Sequence, residues 1–168
     1  MSIFLPRKSW KSTLALFLIV ALLNLFLFPF LAQKVNAGTL TSAKMTISDS
    51  RAGQTAVTYD GAFTATVTTS IKQLTVIFCT TASGTCTTPT GIVTTSAVRS
   101  ADNLAGTGRT DTFTGNGTLT TVVTTPASQA TQAITVTYTT ITNPTTINTT
   151  YFARITTYSD TGTTVIDT

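Results

Sequence analysis

Two cysteines seven residues apart, six aspartates, and neither histidine nor glutamate make up the reactive inventory of this 168-residue chain. Without histidine, no Ser-His-Asp or Cys-His nucleophile can be assembled. A zinc centre lacks ligands for the same reason. A Ser-Lys nucleophile would need Lys44 or Lys72 beside a buried serine, and no SxxK spacing occurs after residue 37. The aspartates are Asp49, Asp60, Asp102, Asp111, Asp160 and Asp167. Their turn-like or strand-outer contexts read as turn formers and solvated charges rather than as a general acid–base pair. Asp102-Asn103 offers oxygen to a calcium ion, but no DxDxDG loop surrounds it. Cys79 and Cys86 flank a glycine-containing loop, and in an exported domain that spacing reads as a structural disulfide. These residues imply no enzyme activity, no metal and no cofactor.

The remaining candidates are contacts rather than reactions. The single tryptophan, Trp10, lies near the N-terminus, so Phe152 and Tyr158, on the strand register opposite Tyr151 and Ile155, are the candidate exposed aromatic contacts. Asn116 and Asn148 head formal N-glycan acceptor triplets. Thr-x-Thr triplets such as Thr64/Thr66/Thr68 recur without the strict repeat expected of an ice-ordering face. An intramolecular Lys–Asn crosslink would need a buried acid, for which no glutamate is present.

Export is read from the first 37 residues. Arg7, Lys8 and Lys11 precede the apolar run 14–32, and Val35-Asn36-Ala37 supplies a small residue at the cut. That order is a secretory signal with cleavage after Ala37, Ala32 being the alternative site. The run also approaches spanning length, so an uncleaved anchor is the second reading, with 14–32 as the sole membrane contact. Either way the basic flank keeps the N-terminus inside and the remainder outside. Four of the ten basic residues precede residue 38 and all six aspartates follow it. The exported part therefore carries six charges of each sign, and the net +4 belongs to the signal. No basic surface is left for nucleic acid.

Residues 38–168 alternate with a period of two. Val57, Tyr59, Gly61, Phe63, Ala65 and Val67 take one face, mostly polar residues the other. Ala43/Met45/Ile47, Leu74/Val76/Phe78, Ile134/Val136/Tyr138 and Tyr151/Ala153/Ile155 repeat the pattern, while Leu119–Val123 is less regular. Threonine, 44 of the 168 residues, suits such strands because its branched Cβ fits a pleat and its hydroxyl faces water. Turn signals recur at Asp49–Gly53, Ala82–Gly84, Thr88–Gly91, Ala105–Gly108, Gly115–Gly117, Thr125-Pro126 and Asn143-Pro144. Asn116-Gly117 predicts a type I′ hairpin. Eight or nine short strands follow, in one all-β domain: a single antiparallel β-sandwich, immunoglobulin-like or jelly-roll. Thr163–Asp167 starts a further strand that nothing closes, as in an open edge or a chain continuing past Thr168.

Three stretches read together (LTSAKMTISDSRAGQTAVTY from Leu40, VIFCTTASGTCTTPTG from Val76 and ITNPTTINTTYFARITTYSD from Ile141) resemble small, threonine-rich, secreted β-sandwich proteins of ultrasmall Saccharibacteria- and Patescibacteria-type bacteria. The resemblance implies a cell-surface setting and no established activity. Its landmarks are the Cys79/Cys86 pair and the segment from Asn143-Pro144 to YFARI. The expectation is a secreted, non-enzymatic surface protein with an adhesive or envelope-coat role, meeting a protein or glycan at a cell surface. The alternative is a pilin-like subunit that self-assembles by β-strand addition.

Overall fold

The computed structural model describes residues 38–168 apart from 67 and 131. The export signal, its cleavage residue Ala37 and the apolar run 14–32 lie outside the described residues, as does Val67. Nine strands are described: β1 (Thr41–Ile47), β2 (Val57–Thr64), β3 (Gln73–Cys79), β4 (Val98–Asp102), β5 (Gly106–Thr114), β6 (Thr118–Pro126), β7 (Ala133–Ile141), β8 (Phe152–Tyr158) and β9 (Val165–Asp167). They form a four-stranded sheet ordered β1-β2-β7-β4 and a five-stranded sheet ordered β5-β6-β3-β8-β9. All strand pairings are antiparallel. The two sheets make a β-sandwich. β1-β2-β7 against β3-β8-β9 repeats the A-B-E and C-F-G order of an immunoglobulin-like sandwich. However, β5 and β6, which extend the second sheet, lie in the chain between β4 and β7, where that order has no strand. Among the described residues no helix is long and apolar enough to cross a membrane.

The period-two pattern sets which face is buried. On β2, Val57, Tyr59, Gly61 and Phe63 point inward while Asp60 is exposed. On β7, Ile134, Val136 and Tyr138 are fully buried. They meet Leu74, Val76 and Phe78 of β3 and Leu119 and Val123 of β6 in one core. Burial of such side chains, at roughly 25 cal/mol per Å² of apolar area, is the main favourable contribution to folding.

Four expectations are corrected. The β6 segment is as regular as the others, with Leu119, Thr121 and Val123 all buried. It looked irregular because Thr121, a core position, is polar. The Gly115–Gly117 hairpin is not type I′: only Gly117 has positive φ, 74°, and Thr114 faces Thr118 across three turn residues. That is the three-residue loop ending in a left-handed glycine. The Gly117 carbonyl also accepts Phe78 N–H at 2.9 Å, which ties the turn to β3. On β1, Ala43 is exposed and Ile47 is 38% exposed, so this edge strand buries only part of its apolar face. Finally, β9 is not open. Its inner side pairs with β8, and Gly38 lies parallel to Asp167 on its outer side. Gly38 N–H donates to Ile166 O at 2.7 Å, and Leu40 N–H to Thr168 O at 3.2 Å.

Candidate functional site

One end of the sandwich holds a cleft of about 440 Å³. Tyr59 and Phe78, one from each sheet, line it in an edge-to-face pair with ring centroids 5.2 Å apart. Met45 and Ile47 of β1, Pro89 and Ile92 of the β3–β4 connection, and Tyr151 and Phe152 at the start of β8 add apolar walls. Ile147, also part of the lining, is 70% exposed. A concavity with an apolar, aromatic lining is the first place to look for a binding site.

The walls are fixed by Asn143. It is buried, and its Oδ1 accepts the Tyr59 hydroxyl at 2.6 Å. Its Nδ2 donates to Asp49 O at 2.7 Å and Arg51 O at 2.8 Å. Its backbone N–H reaches Gln54 O at 2.8 Å. One side chain thus joins the β1–β2 turn, the aromatic floor and the β7–β8 loop. Thr145 N–H then donates to Thr90 O at 3.0 Å, drawing in the third loop, and the Tyr151 hydroxyl donates to Thr146 O at 3.2 Å. β7 enters this region through an irregularity: Val57 faces Ile141 but Tyr59 faces Tyr138, so β7 carries one extra residue. Thr140 there has φ 62°, a strained setting for a β-branched residue. The extra residue shifts the register between Tyr138 and Ile141, and such bulges commonly re-aim side chains beside sites.

Cys79 and Cys86 are disulfide-bonded, with Cα atoms 5.1 Å apart, beside the cleft wall formed by Phe78. The loop they close has a second fastening. Arg154 of β8 donates to Thr81 O at 2.8 and 3.2 Å, to Thr81 Oγ1 at 2.9 Å and to Gly84 O at 2.7 Å. Phe152 lines the cleft; Tyr158 does not. The two start and end the seven-residue β8, about 20 Å apart at strand rise, so they do not form one contact surface. The aromatic that joins Phe152 is Tyr151, which alternation assigned to the core face. Ile147 was missed because it sits in a loop without periodicity.

Asp102, Asp111 and Asp167 are less solvated than their contexts suggest, whereas Asp60 is exposed as expected. Asp102 (5% side-chain exposure) accepts Arg99 Nη1 at 2.7 Å and Arg109 Nη2 at 2.9 Å. Arg99 Nε also donates to Asp111 Oδ1 at 3.1 Å. Thr121 donates to that same Asp111 oxygen at 2.7 Å and lies 3.1 Å from the buried Tyr138 hydroxyl. Two arginines and two aspartates therefore cancel at the side of the sandwich where the chain crosses from β4 to β5. Asp102 also accepts Leu104 N–H, and Asn103 spans to Ala133 O and Thr135 N–H. The oxygens considered for calcium are committed to guanidinium groups and backbone. Asp167 is fully buried, with Oδ1 accepting Thr66 Oγ1 at 2.8 Å and Oδ2 unpartnered among the described residues.

Asp49 and Asp160 do behave as turn formers. The Arg51 side chain and backbone N–H hold the Asp49 carboxyl below the ordinary carboxylate range. Thr164 and Thr163 N–H, with the Thr164 hydroxyl, do the same for Asp160. Burial pushes the Tyr59 and Tyr138 phenols up to about 12. Comparison with family models, curated proteins and solved structures finds no match for this chain.

Proposed function

We propose that this chain is an exported, non-enzymatic surface protein that makes its adhesive contact through the cleft at the Asn143 end of the sandwich. The observation that carries this reading is the cleft itself: apolar, aromatic-floored, held open by Asn143, and bearing Ile147 exposed to solvent. The disulfide is compatible with an extracellular setting, where such bonds persist. Each described aspartate already serves a turn, an arginine or a threonine, which supports a binding rather than a catalytic role. The resemblance to secreted surface proteins points the same way, and the partner it implies is a protein or glycan on a cell surface.

The test is binding of the exported protein to cells and immobilised envelope material, comparing the parent with Ile147→Asp. Loss of binding with unchanged melting supports the cleft. Equal binding by both refutes it.

The filament alternative was motivated by an unfinished last strand, and that edge is occupied by Gly38–Leu40. The other edges carry features that discourage strand addition. β1 has a register shift and Lys44, β4 has a register shift, and β5 turns its charges Arg109 and Asp111 into the network. Light scattering behind size exclusion should give a single-copy mass that persists on concentration. Concentration-dependent polymers would restore the filament reading.

A further inference from the structure

Gly38 and Asp167 fit each other closely. A Cβ on residue 38 would overlap Asp167 Oδ1 and Thr66 Oγ1, so the carboxylate lies against the Gly38 Cα, one bond from its nitrogen. No other residue type fits there without displacing them. Gly38 N–H is already spent on Ile166 O at 2.7 Å. Meanwhile Asp167 is fully buried, and its Oδ2 has no hydrogen-bond partner among the described residues. A buried carboxyl oxygen left unpaired is costly, and a neighbouring cation with spare donors would relieve it by both charge and hydrogen bonding.

We infer that cleavage after Ala37 supplies that cation: the α-ammonium of Gly38 docks on Asp167 as an intramolecular ion pair. In the cut, catalysed by a signal peptidase, water adds to the Ala37 carbonyl and the Ala37–Gly38 C–N bond breaks. Ala37 departs as a carboxylate, and the Gly38 nitrogen is protonated. An amide with one hydrogen becomes an ammonium with three. One hydrogen keeps the Ile166 carbonyl, and two are free for the Asp167 carboxylate beside it. Charge-assisted bonds of this kind are shorter and stronger than those between neutral groups. Processing would then lock the segment that closes β9, coupling export to completion of the sandwich. The inference rests on the export reading and on the cut falling after Ala37 rather than Ala32.

The full 168-residue precursor is exported from a bacterial host, and the recovered protein is treated near neutral pH with an acylating reagent for free amines. Mass spectrometry first reads the N-terminal residue, then the rate of its modification. A free α-amine titrates near pH 8 and reacts as the neutral base, whereas a docked ammonium reacts only through local opening. The expected result is an N-terminal Gly38 that reacts at least about tenfold more slowly in the folded protein than in guanidinium, with the exposed Lys44 reacting freely in both. Asp167→Asn should abolish the protection. If that variant does not fold, the pH dependence of modification in the folded parent decides: an ammonium paired with a carboxylate still resists at about pH 9, whereas an amine held by strand pairing alone follows the ordinary amine near pH 8 and overturns the docking. An N-terminus other than Gly38 overturns the inference together with the cleavage site on which it rests. An N-terminal Gly38 as reactive folded as unfolded overturns the docking and leaves export standing.

Discussion

Asn143→Ala is the substitution whose cost can be worked out most fully. It leaves three groups without their partner: the Tyr59 hydroxyl and the carbonyls of Asp49 and Arg51. Tyr59 is only 6% exposed, so its hydroxyl cannot readily turn to water. Stranding a buried donor costs about 1–3 kcal/mol. The two carbonyls sit in a turn at the surface and can rehydrate, so each loses only the net value of a hydrogen bond, about 0.5–1 kcal/mol. The sum is about 3 kcal/mol, or roughly 10 °C in melting temperature for a domain of this size. The assay is a double-mutant cycle by thermal or denaturant unfolding. Tyr59→Phe alone should cost about 1–2 kcal/mol, because Asn143 Oδ1 loses its donor. In the Asn143→Ala background it removes the stranded hydroxyl and should cost nothing or recover part of the loss, giving a coupling of at least about 1–2 kcal/mol. Additive costs would show that the Tyr59–Asn143 bond does not hold the cleft, and the account of its rigidity would fall with it.

Cys79→Ser should lower stability by about 2–3 kcal/mol, the loop-closure value for so short a ring, while leaving export unchanged; melting equal to the parent under oxidising conditions would refute it. Asp102→Asn should cost about 3 kcal/mol, since it leaves two largely buried arginines short of charge; a change within a few tenths of a kcal/mol would mean that the network is solvated. Alkaline unfolding should follow Tyr59 and Tyr138. Both titrate near 12 when folded against about 10 unfolded, so the unfolded chain loses protons first and stability falls between pH 10 and 12. The slope approaches about 1.4 kcal/mol per pH unit for each tyrosine. The part of the tyrosinate absorbance that disappears in Tyr59→Phe and Tyr138→Phe should rise only with unfolding; a rise of that part near pH 10 in the still-folded protein would contradict this.

The sandwich was legible because alternation is a local signal: Ile134, Val136 and Tyr138 announce a buried face without reference to any other segment. What was not legible depends on pairing across the fold. Thr121 reads as a surface residue until Asp111 and Tyr138 are placed beside its hydroxyl. Arg99 and Arg109 lie ten residues apart and meet only because β4 and β5 belong to different sheets on the same side of the sandwich. Threonine deepens the difficulty. It serves equally at exposed positions such as Thr46 and at fully buried ones such as Thr94 and Thr157, so a chain this rich in it blurs inside from outside at single positions while keeping the strand signal intact.

The segment 141–160 illustrates why a sequence landmark and a binding residue must be argued separately. Within it Asn143 fastens the β1–β2 turn, Thr145 fastens the loop at Thr90, and Arg154 fastens the disulfide loop. One continuous stretch therefore holds three other loops at one end of the fold. Those side chains are engaged with the protein itself and have nothing left to offer a partner. The residues free to meet one are Ile147, 70% exposed, and the half-buried rings of Tyr151 and Phe152, which line the same cleft. Substitutions at Asn143 or Arg154 should act on binding only through stability, and substitutions at Ile147 on binding alone. Separating those two responses is what distinguishes a cleft that binds from one left over by loop packing.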